Sequence, residues 1–451
     1  MTVMKMKKEV DMLNGPLVSK IILYAIPLVA SGLLQQLFNA ADSAVVGSFA
    51  GATALAAVGA NTSLCTIFVN GFVGLSVGTN VVVAQYIGAQ NTKKIPEVVQ
   101  TVILFAIIGG ICVTGVGEIL AENILSLMGT PVNIISTAAL YLRIYLLGIP
   151  FIALFNFGSA IVRSNGDTQR PMIALIIAGI LNVCLNLLLV IVFNLSVAGV
   201  AIATVTSNIV SCLIIIVTLC KYDNFLHLDL KHLKISKEPM MLVLKCGAPA
   251  ALQSMVFSIA NISIQSGINS FGSDVVAASA ATQTFEYMDF QVVNGINQAA
   301  VTFVGQNYAA KQYDRVKKIY AICMIEALVG IISVEMIFWF GRYKWLSFFI
   351  SDEVVMSYAI QRMVTNVLPH FLLCSYEITG SVLRGMGHSL EPALLTVIGS
   401  VGFRVLWLVT VFKYWLHSLQ GLLLVYPASW ILTGVMVITC YIIVSKKEFA
   451  K

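Results

Sequence analysis

Acidic side chains set inside long apolar runs are the residues of this chain best suited to chemistry. Asp42 stands late in such a run, within LLQQLFNAADSAVVG, with no Lys or Arg close by in sequence. A charge in hydrocarbon is costly and usually marks an ion or proton path. A carboxyl group buried there without a cation is able to bind and release a proton. The bland alternative is a carboxylate at the outer rim, held by water. The second half of the chain holds more acids. Glu286 and Asp289 lie three apart in FEYMDFQ and so share one helix face. Glu326, Glu335 and Glu377 also fall in apolar runs. Arg143 and Arg404 are candidate partners for buried acids, and the sequence leaves the pairing open.

Amides and aromatics accompany these acids. Asn39, Asn182, Asn186, Gln35, Asn70 and Gln283 all lie in apolar stretches. Many such amides form interhelical hydrogen bonds. Gln35, Asn70 and Gln283 are expected to line a cavity with Glu286, Asp289 and Glu377. Phe38, Phe72, Phe285 and Tyr287 offer apolar or cation-binding surface, although packing is the commoner role of any one ring. The chain has no Gly-Lys dipeptide, hence no P-loop and no ATP-driven motor of its own. No metal-ligand cluster and no nucleophile beside a base stands out, so we expect neither an enzyme nor a cofactor. The nine cysteines form no CxxC pair and read as small packing residues.

The elements that carry these residues are membrane helices. Mean hydropathy is +0.90, with 58% apolar and 11% charged residues. Runs of about 20 apolar residues lack the polar face of a surface helix, and in hydrocarbon the backbone must bond within itself. Twelve spans are predicted, over residues 17–47, 52–80, 96–118, 133–158, 171–193, 196–220, 240–270, 275–304, 318–341, 354–382, 392–413 and 419–444. With the N-terminus inside, one face collects Lys5, Lys7, Lys8, Lys93, Lys94, Arg163, Arg170, Lys221, Lys231, Lys234, Lys237, Lys311, Arg315, Lys317, Lys318, Arg384, Lys446, Lys447 and Lys451. The other holds little beyond Arg342, Lys344 and Lys413. This bias places both termini in the cytoplasm of a cell-membrane protein. It also assigns the net charge of +6 to topology and lipid contact, with no nucleic-acid partner. The N-terminus has no small-residue cleavage site, so no signal peptide is expected.

The chain also repeats itself. Val83-Ala84-Gln85 returns as Val304-Gly305-Gln306, and Arg163, Gly166 and Pro171 return as Arg384, Gly387 and Pro392, each pair 221 residues apart. Pro27 and Asn39 return as Pro249 and Asn261, 222 apart. The expected fold is all-α, with two six-helix lobes, 1–220 and 239–451, joined by a cytoplasmic linker, 221–238. An even number of spans per lobe sets the pseudo-two-fold along the membrane normal, the build of a secondary transporter. Pro27 and Pro249 each remove a backbone bond and permit a bend in the first helix of a lobe. The turns RSNGDTQRP and RGMGHSLEP are expected on the inner face, with Arg163 and Arg384 at the lipid headgroups.

Together these stretches resemble the multidrug and toxic compound extrusion family. The resemblance rests on the order and spacing of FNAADSAVVG, VAQYIGAQNTKK, its echo FVGQNYAAKQYDRVKK, and the two Arg-Gly-Pro turns, and it covers nearly the whole chain. It implies a V-shaped pair of lobes that exports cationic or lipophilic drugs in exchange for H⁺ or Na⁺, as a monomer in lipid. Asp42 falls where prokaryotic members carry an ion-coupling Asp, and Asn39 and Asn182 would support it. Asn186 stands in LNLL where an acid is usual; it can coordinate Na⁺ or bond a protonated Asp42 but cannot titrate. Glu286 and Glu377 lie in helices where some members use acids for cations. A lipid-linked-sugar flippase of the same superfamily is the alternative. It would need a strongly basic cavity, for which Arg143, Arg362, Arg404 and Lys245 are the candidates.

Overall fold

The computed structural model describes residues 9–450. Lys5, Lys7, Lys8 and Lys451, counted in the charge bias, lie outside the described residues. The chain forms helices α1 (Leu17–Ala50), α2 (Gly51–Gly88), α3 (Thr92–Leu127), α4 (Val132–Leu146 and Ile149–Ser164, bent by 42°), α5 (Gln169–Val192) and α6 (Ser196–Cys220). After the linker come α7 (Lys237–Asn269), α8 (Ser273–Ala309), α9 (Tyr313–Phe340), α10 (353–385), α11 (Leu390–Phe412) and α12 (Leu419–Phe449). No strand occurs among the described residues.

Nine of these helices are long and apolar enough to cross a membrane, or ten with α4 counted as one span. The other two are α8 and α10, and physical reasons set them apart. α8 buries Asp289, Asn297, Thr302, Gln306 and Asn307, because protein rather than lipid surrounds it. α10 opens at Pro369 into a wide turn and a 3₁₀ turn, since proline supplies no N–H and crowds the preceding turn. Helices at the periphery show the opposite pattern, with Ile119 80%, Ile325 61% and Phe340 80% exposed, as lipid-facing surface requires.

Each half has its own apolar core, and the first helix of each half crosses into the other. Leu17, Ile21, Ala25 and Leu28 of α1 pack into the core of the second half, while Val45 and Val46 of the same helix pack into that of the first. Pro27 lies in the stretch of α1 packed into the core of the second half, between Ala25 and Leu28. Reciprocally, Val243 of α7 joins the core of the first half.

The seam between halves is glycine-lined. A Cβ on Gly74 of α2 would lie 2.4 Å from Ala251 Cα of α7, and one on Gly295 of α8 would lie 3.0 Å from Val29 N of α1. Gly74 and Gly295 are 221 apart, and Val29 and Ala251 are 222 apart, so duplication built one crossing twice. Gly78 and Gly247 tighten the α2–α7 side. Gly74 to Gly78 also has the G-x-S-x-G spacing of a hydrolase nucleophile. Here it lies in mid-helix, and the buried Ser76 Oγ donates to Val73 O.

Candidate functional site

Helix periodicity brings three polar side chains together where α1, α5 and α6 meet. Asn182 and Asn186 are four apart on α5 and so share a face. Asn186 Nδ2 donates to Asp42 Oδ1 of α1 at 2.5 Å and to Asn182 Oδ1 at 3.2 Å. Asn182 Nδ2 reaches Thr204 Oγ1 of α6 at 3.5 Å. Asn39 lies one turn before Asp42 and is exposed. Asp42 is partly buried, with no Lys, Arg or His in an ion pair with it among the described residues. Asn186 Oδ1 is buried without a partner. The site is rich in acceptors and lacks a positive centre, which suits a proton or a small cation. Wide helical turns follow directly at 46–50 and 187–192; such bulges are frequent at functional sites.

The acids of the second half have internal partners. Arg362 of α10, 1% exposed, donates through Nε and Nη2 to the two oxygens of Glu286 at 2.9 and 3.0 Å. Asp289 Oδ1 meets His370 Nδ1 at 2.8 Å, and Glu377 Oε2 accepts from Asn297 Nδ2 at 2.9 Å. Gln283 is half-buried one turn before Glu286, Gln35 is exposed, and Asn70 Nδ2 reaches Ser258 Oγ across the halves at 3.4 Å. The pairing differs from the sequence-based candidates. Arg143 binds Glu122 at the surface, and Arg404 has no acid partner within ion-pair distance among the described residues. Asn297 is one of the in-span amides that the sequence marks for interhelical bonding, whereas His370 and Thr204 carry no sequence signal, being single polar residues at unremarkable spacing.

Glu335 of α9 is 1% exposed, with no cation paired to it among the described residues and only the backbone N–H of Phe371 near enough to donate to it. A buried ionised carboxylate in that state is strongly disfavoured, and a neutral amide of the same shape avoids the penalty. Glu335→Gln should therefore leave thermal stability in detergent unchanged or raised. Arg362→Met, which strands Glu286, should lower stability by about 3 kcal/mol. A Glu335→Gln loss as large as that of Arg362→Met would contradict this assignment.

At the basic end of the helices the duplicated motifs interlock. Gln85 Nε2 of α2 donates to Gly385 O at the end of α10 at 2.9 Å, and Gln306 Nε2 of α8 donates to Ser164 O at the end of α4 at 2.7 Å. Both donors and both acceptors are 221 apart, so the two bonds are one bond made twice. Arg163 and Arg384 do not sit at the headgroups as expected. They turn inward to Gln298 at 2.7 Å and Gln253 at 2.8 Å, because half-buried guanidinium groups need acceptors. Tyr24, Thr302 and Asn80 complete a buried chain across the seam at 3.0 and 2.9 Å. Each Gln bond is worth about 1 kcal/mol. Gln85→Ala with Gln306→Ala should then raise the ratio of open to closed basic ends roughly thirtyfold. Reactivity of cysteines placed at that end measures it; unchanged reactivity would remove the pair from the seam.

The MatE family matches residues 27–188 and again residues 249–410, two stretches displaced by the repeat. The chain is 27% identical over 435 residues to the probable multidrug resistance protein YoeA of Bacillus subtilis, covering 94% of each. It is 25% identical over 423 residues to the probable multidrug resistance protein NorM of Thermotoga maritima, covering 92% of this chain and 89% of that one. In shape it matches a multidrug resistance MATE family transporter of the MOP superfamily in an outward-facing conformation. The TM-score is 0.92 at 22% identity, over 99% of this chain and 100% of that one. The shared fold is twelve helices in two lobes.

Proposed function

Because the chain belongs to the MatE family of multidrug transporters, we propose that it is an antiporter that exports cationic or lipophilic compounds in exchange for H⁺ or Na⁺. It is a multi-pass membrane protein and a transporter, not an enzyme. In this reading the lobes divide at the linker 221–238, the basic end faces the cytoplasm of the cell membrane, and the cavity between lobes opens at the opposite end. The carrying observation is Asp42, held by Asn186 beside an unpartnered acceptor and no cation.

The coupling follows from the path of α1. Its outer half holds Asp42 against the first lobe, and its inner half packs into the core of the second. An ion that binds Asp42 in one arrangement of α1 more tightly than in the other shifts the seam by that difference in affinity, and by no more. Pro27, without an N–H to give, is where α1 bends most easily. Drug and ion then compete through the state of the seam. A flippase for lipid-linked sugars fits poorly: Arg143 and Lys245 are exposed, Arg362 is committed to Glu286, and Arg404 remains alone. Energised cells expressing the protein should expel preloaded ethidium, and collapse of the proton and sodium gradients should stop it. Expulsion that persists without either gradient would overturn the antiport reading.

A further inference from the structure

The segment that leads into α1, residues 9–16, lies across the basic end of the molecule. Its later residues are held by the second half. Arg315, near the start of α9, donates to Met12 O, Asn14 O and Gly15 O at 3.3, 3.1 and 3.1 Å, and Asn307 Nδ2 of α8 donates to Met12 O at 3.1 Å. Met12 itself, 1% exposed, is buried in the core of that half. The segment is also stiffened from within. Asp11 Oδ1 accepts from Leu13 N and Asn14 N, and Lys20 Nζ binds Asp11 O and Asn14 O, the kind of turn an Asp makes with its own backbone. Its first residues reach the other half. Val10 N donates to Gly166 O at 3.3 Å, in the turn between α4 and α5. A Cβ on Gly166 would lie 2.5 Å from Val10 O and 2.9 Å from Val10 N, so the two backbones pass in direct contact.

The duplication separates what is frame from what is added. The repeat of residues 9–15 is 231–237, which leads into α7. Lys94, the repeat of Arg315, likewise holds this second approach, through Glu238, and Thr101 Oγ1 donates to Lys234 O and accepts from Ser236 N. That anchor is made twice. The contact of Val10 with Gly166 is made once. No hydrogen bond among the described residues joins 231–237 to the turn 384–392, and a Cβ on Gly387, the repeat of Gly166, would meet only Gln85 Nε2, at 3.4 Å. The first turn thus carries an extra bond across the seam, beside those that Tyr24 Oη and Gln306 Nε2 give to Arg163 O and Ser164 O. We propose that residues 9–16 are a latch, anchored on the second half, that holds the basic end closed through Gly166 and must release this turn before that end opens. This rests on the transporter reading, in which the basic end opens and closes.

The test compares Gly166→Ala with Gly387→Ala in the full chain. Both glycines sit in the left-handed region, at φ +93° and +91°, so both variants carry the same backbone strain, and only the first displaces Val10. The native Cys246 of α7 reports opening, because it is 7% exposed in a small cluster with Val81 of α2 and Val301 of α8. Cys323, 0% exposed in the core of the second half, reports unfolding. Maleimide labelling of each is read by mass spectrometry in detergent, with neither drug nor gradient. Loss of the one hydrogen bond should make Cys246 label about fivefold faster in Gly166→Ala than in Gly387→Ala, while Cys323 stays as slow as in the parent. Val10→Pro removes the donated N–H and should match Gly166→Ala; it decides the matter if the glycine variant does not fold. Gln85→Ala with Gln306→Ala opens the same end without touching the segment and is the positive control. Faster labelling in that control but in neither latch variant overturns the proposal. Labelling of Cys246 that rises only together with that of Cys323 overturns it too, since the segment would then only support the fold. Loss of gradient dependence in ethidium efflux, with the labelling pattern intact, would instead count against the antiport reading.

Discussion

Asp42→Asn should reduce gradient-driven efflux at least about tenfold while the protein folds and purifies as the parent does. Couplings between two ligands of one protein commonly span about 1–3 kcal/mol, or roughly 5–150-fold. In the proposed mechanism the substitution removes the group through which the ion acts. The amide is isosteric, and its oxygen still accepts from Asn186 Nδ2, which now donates to Asp42 and Asn182. Packing of α1 on α5 is therefore kept, and only the charge and the exchangeable proton are lost. Ethidium should still bind, since the fold is kept, but the ion gradient should no longer bias release. Asp42→Glu should retain part of the coupling, because the charge remains but is displaced by one methylene. Efflux by Asp42→Asn at the parent rate under the same gradient would remove Asp42 from the mechanism.

The second large effect concerns the seam. Gly74→Val should abolish the arrangement in which the basic ends are closed, and transport with it. The added Cβ would lie 2.4 Å from Ala251 Cα and 2.5 Å from Ala251 N. These are backbone atoms of a helix, so no side-chain rotation relieves the clash and α2 must separate from α7. Gly295→Val should do the same to the α1–α8 crossing, where Val29 N and Ala25 O lie within 3.3 Å of the added carbon. Each lobe keeps its own core, so both variants should fold. Distances between spin labels at the basic ends of α2 and α7 should lengthen in both variants. Gly59→Ala, on the same helix with nothing within 4 Å of the added carbon, is the control and should behave as the parent. Unchanged label distances in Gly74→Val would show that the seam is not where the lobes close.

Much of this frame was readable in the sequence, because hydrocarbon imposes long apolar runs and duplication writes its contacts twice. The repeats of Gln85 and Gln306 and of Arg163 and Arg384 were visible before any coordinates, and so was the acid in α1. What they touch was not. A repeat gives the offset between two equal environments but not the partner in either. The Gln motif therefore gave no hint of the helix-end carbonyls it bonds, and the two Arg side chains were placed at headgroups when they turn inward. The pairing of Glu286 with Arg362 joins residues 76 apart on α8 and α10, and no local spacing encodes it. Gly74 and Gly295 were legible at the 221 offset, yet glycine is too common for one matched pair to stand out. α8 was predicted as a span over 275–304, but its polarity keeps it out of the helices apolar enough to cross a membrane alone, since its polar residues are buried in protein.

The central claim is that an ion gradient drives this protein through Asp42. The most direct measurement is ethidium efflux from vesicles containing the purified chain, under an imposed pH gradient and then an imposed Na⁺ gradient. The account predicts efflux under at least one of them, lost when that gradient is dissipated. It is contradicted if ethidium leaves at the same rate with no gradient as with either, or if neither gradient moves it at all.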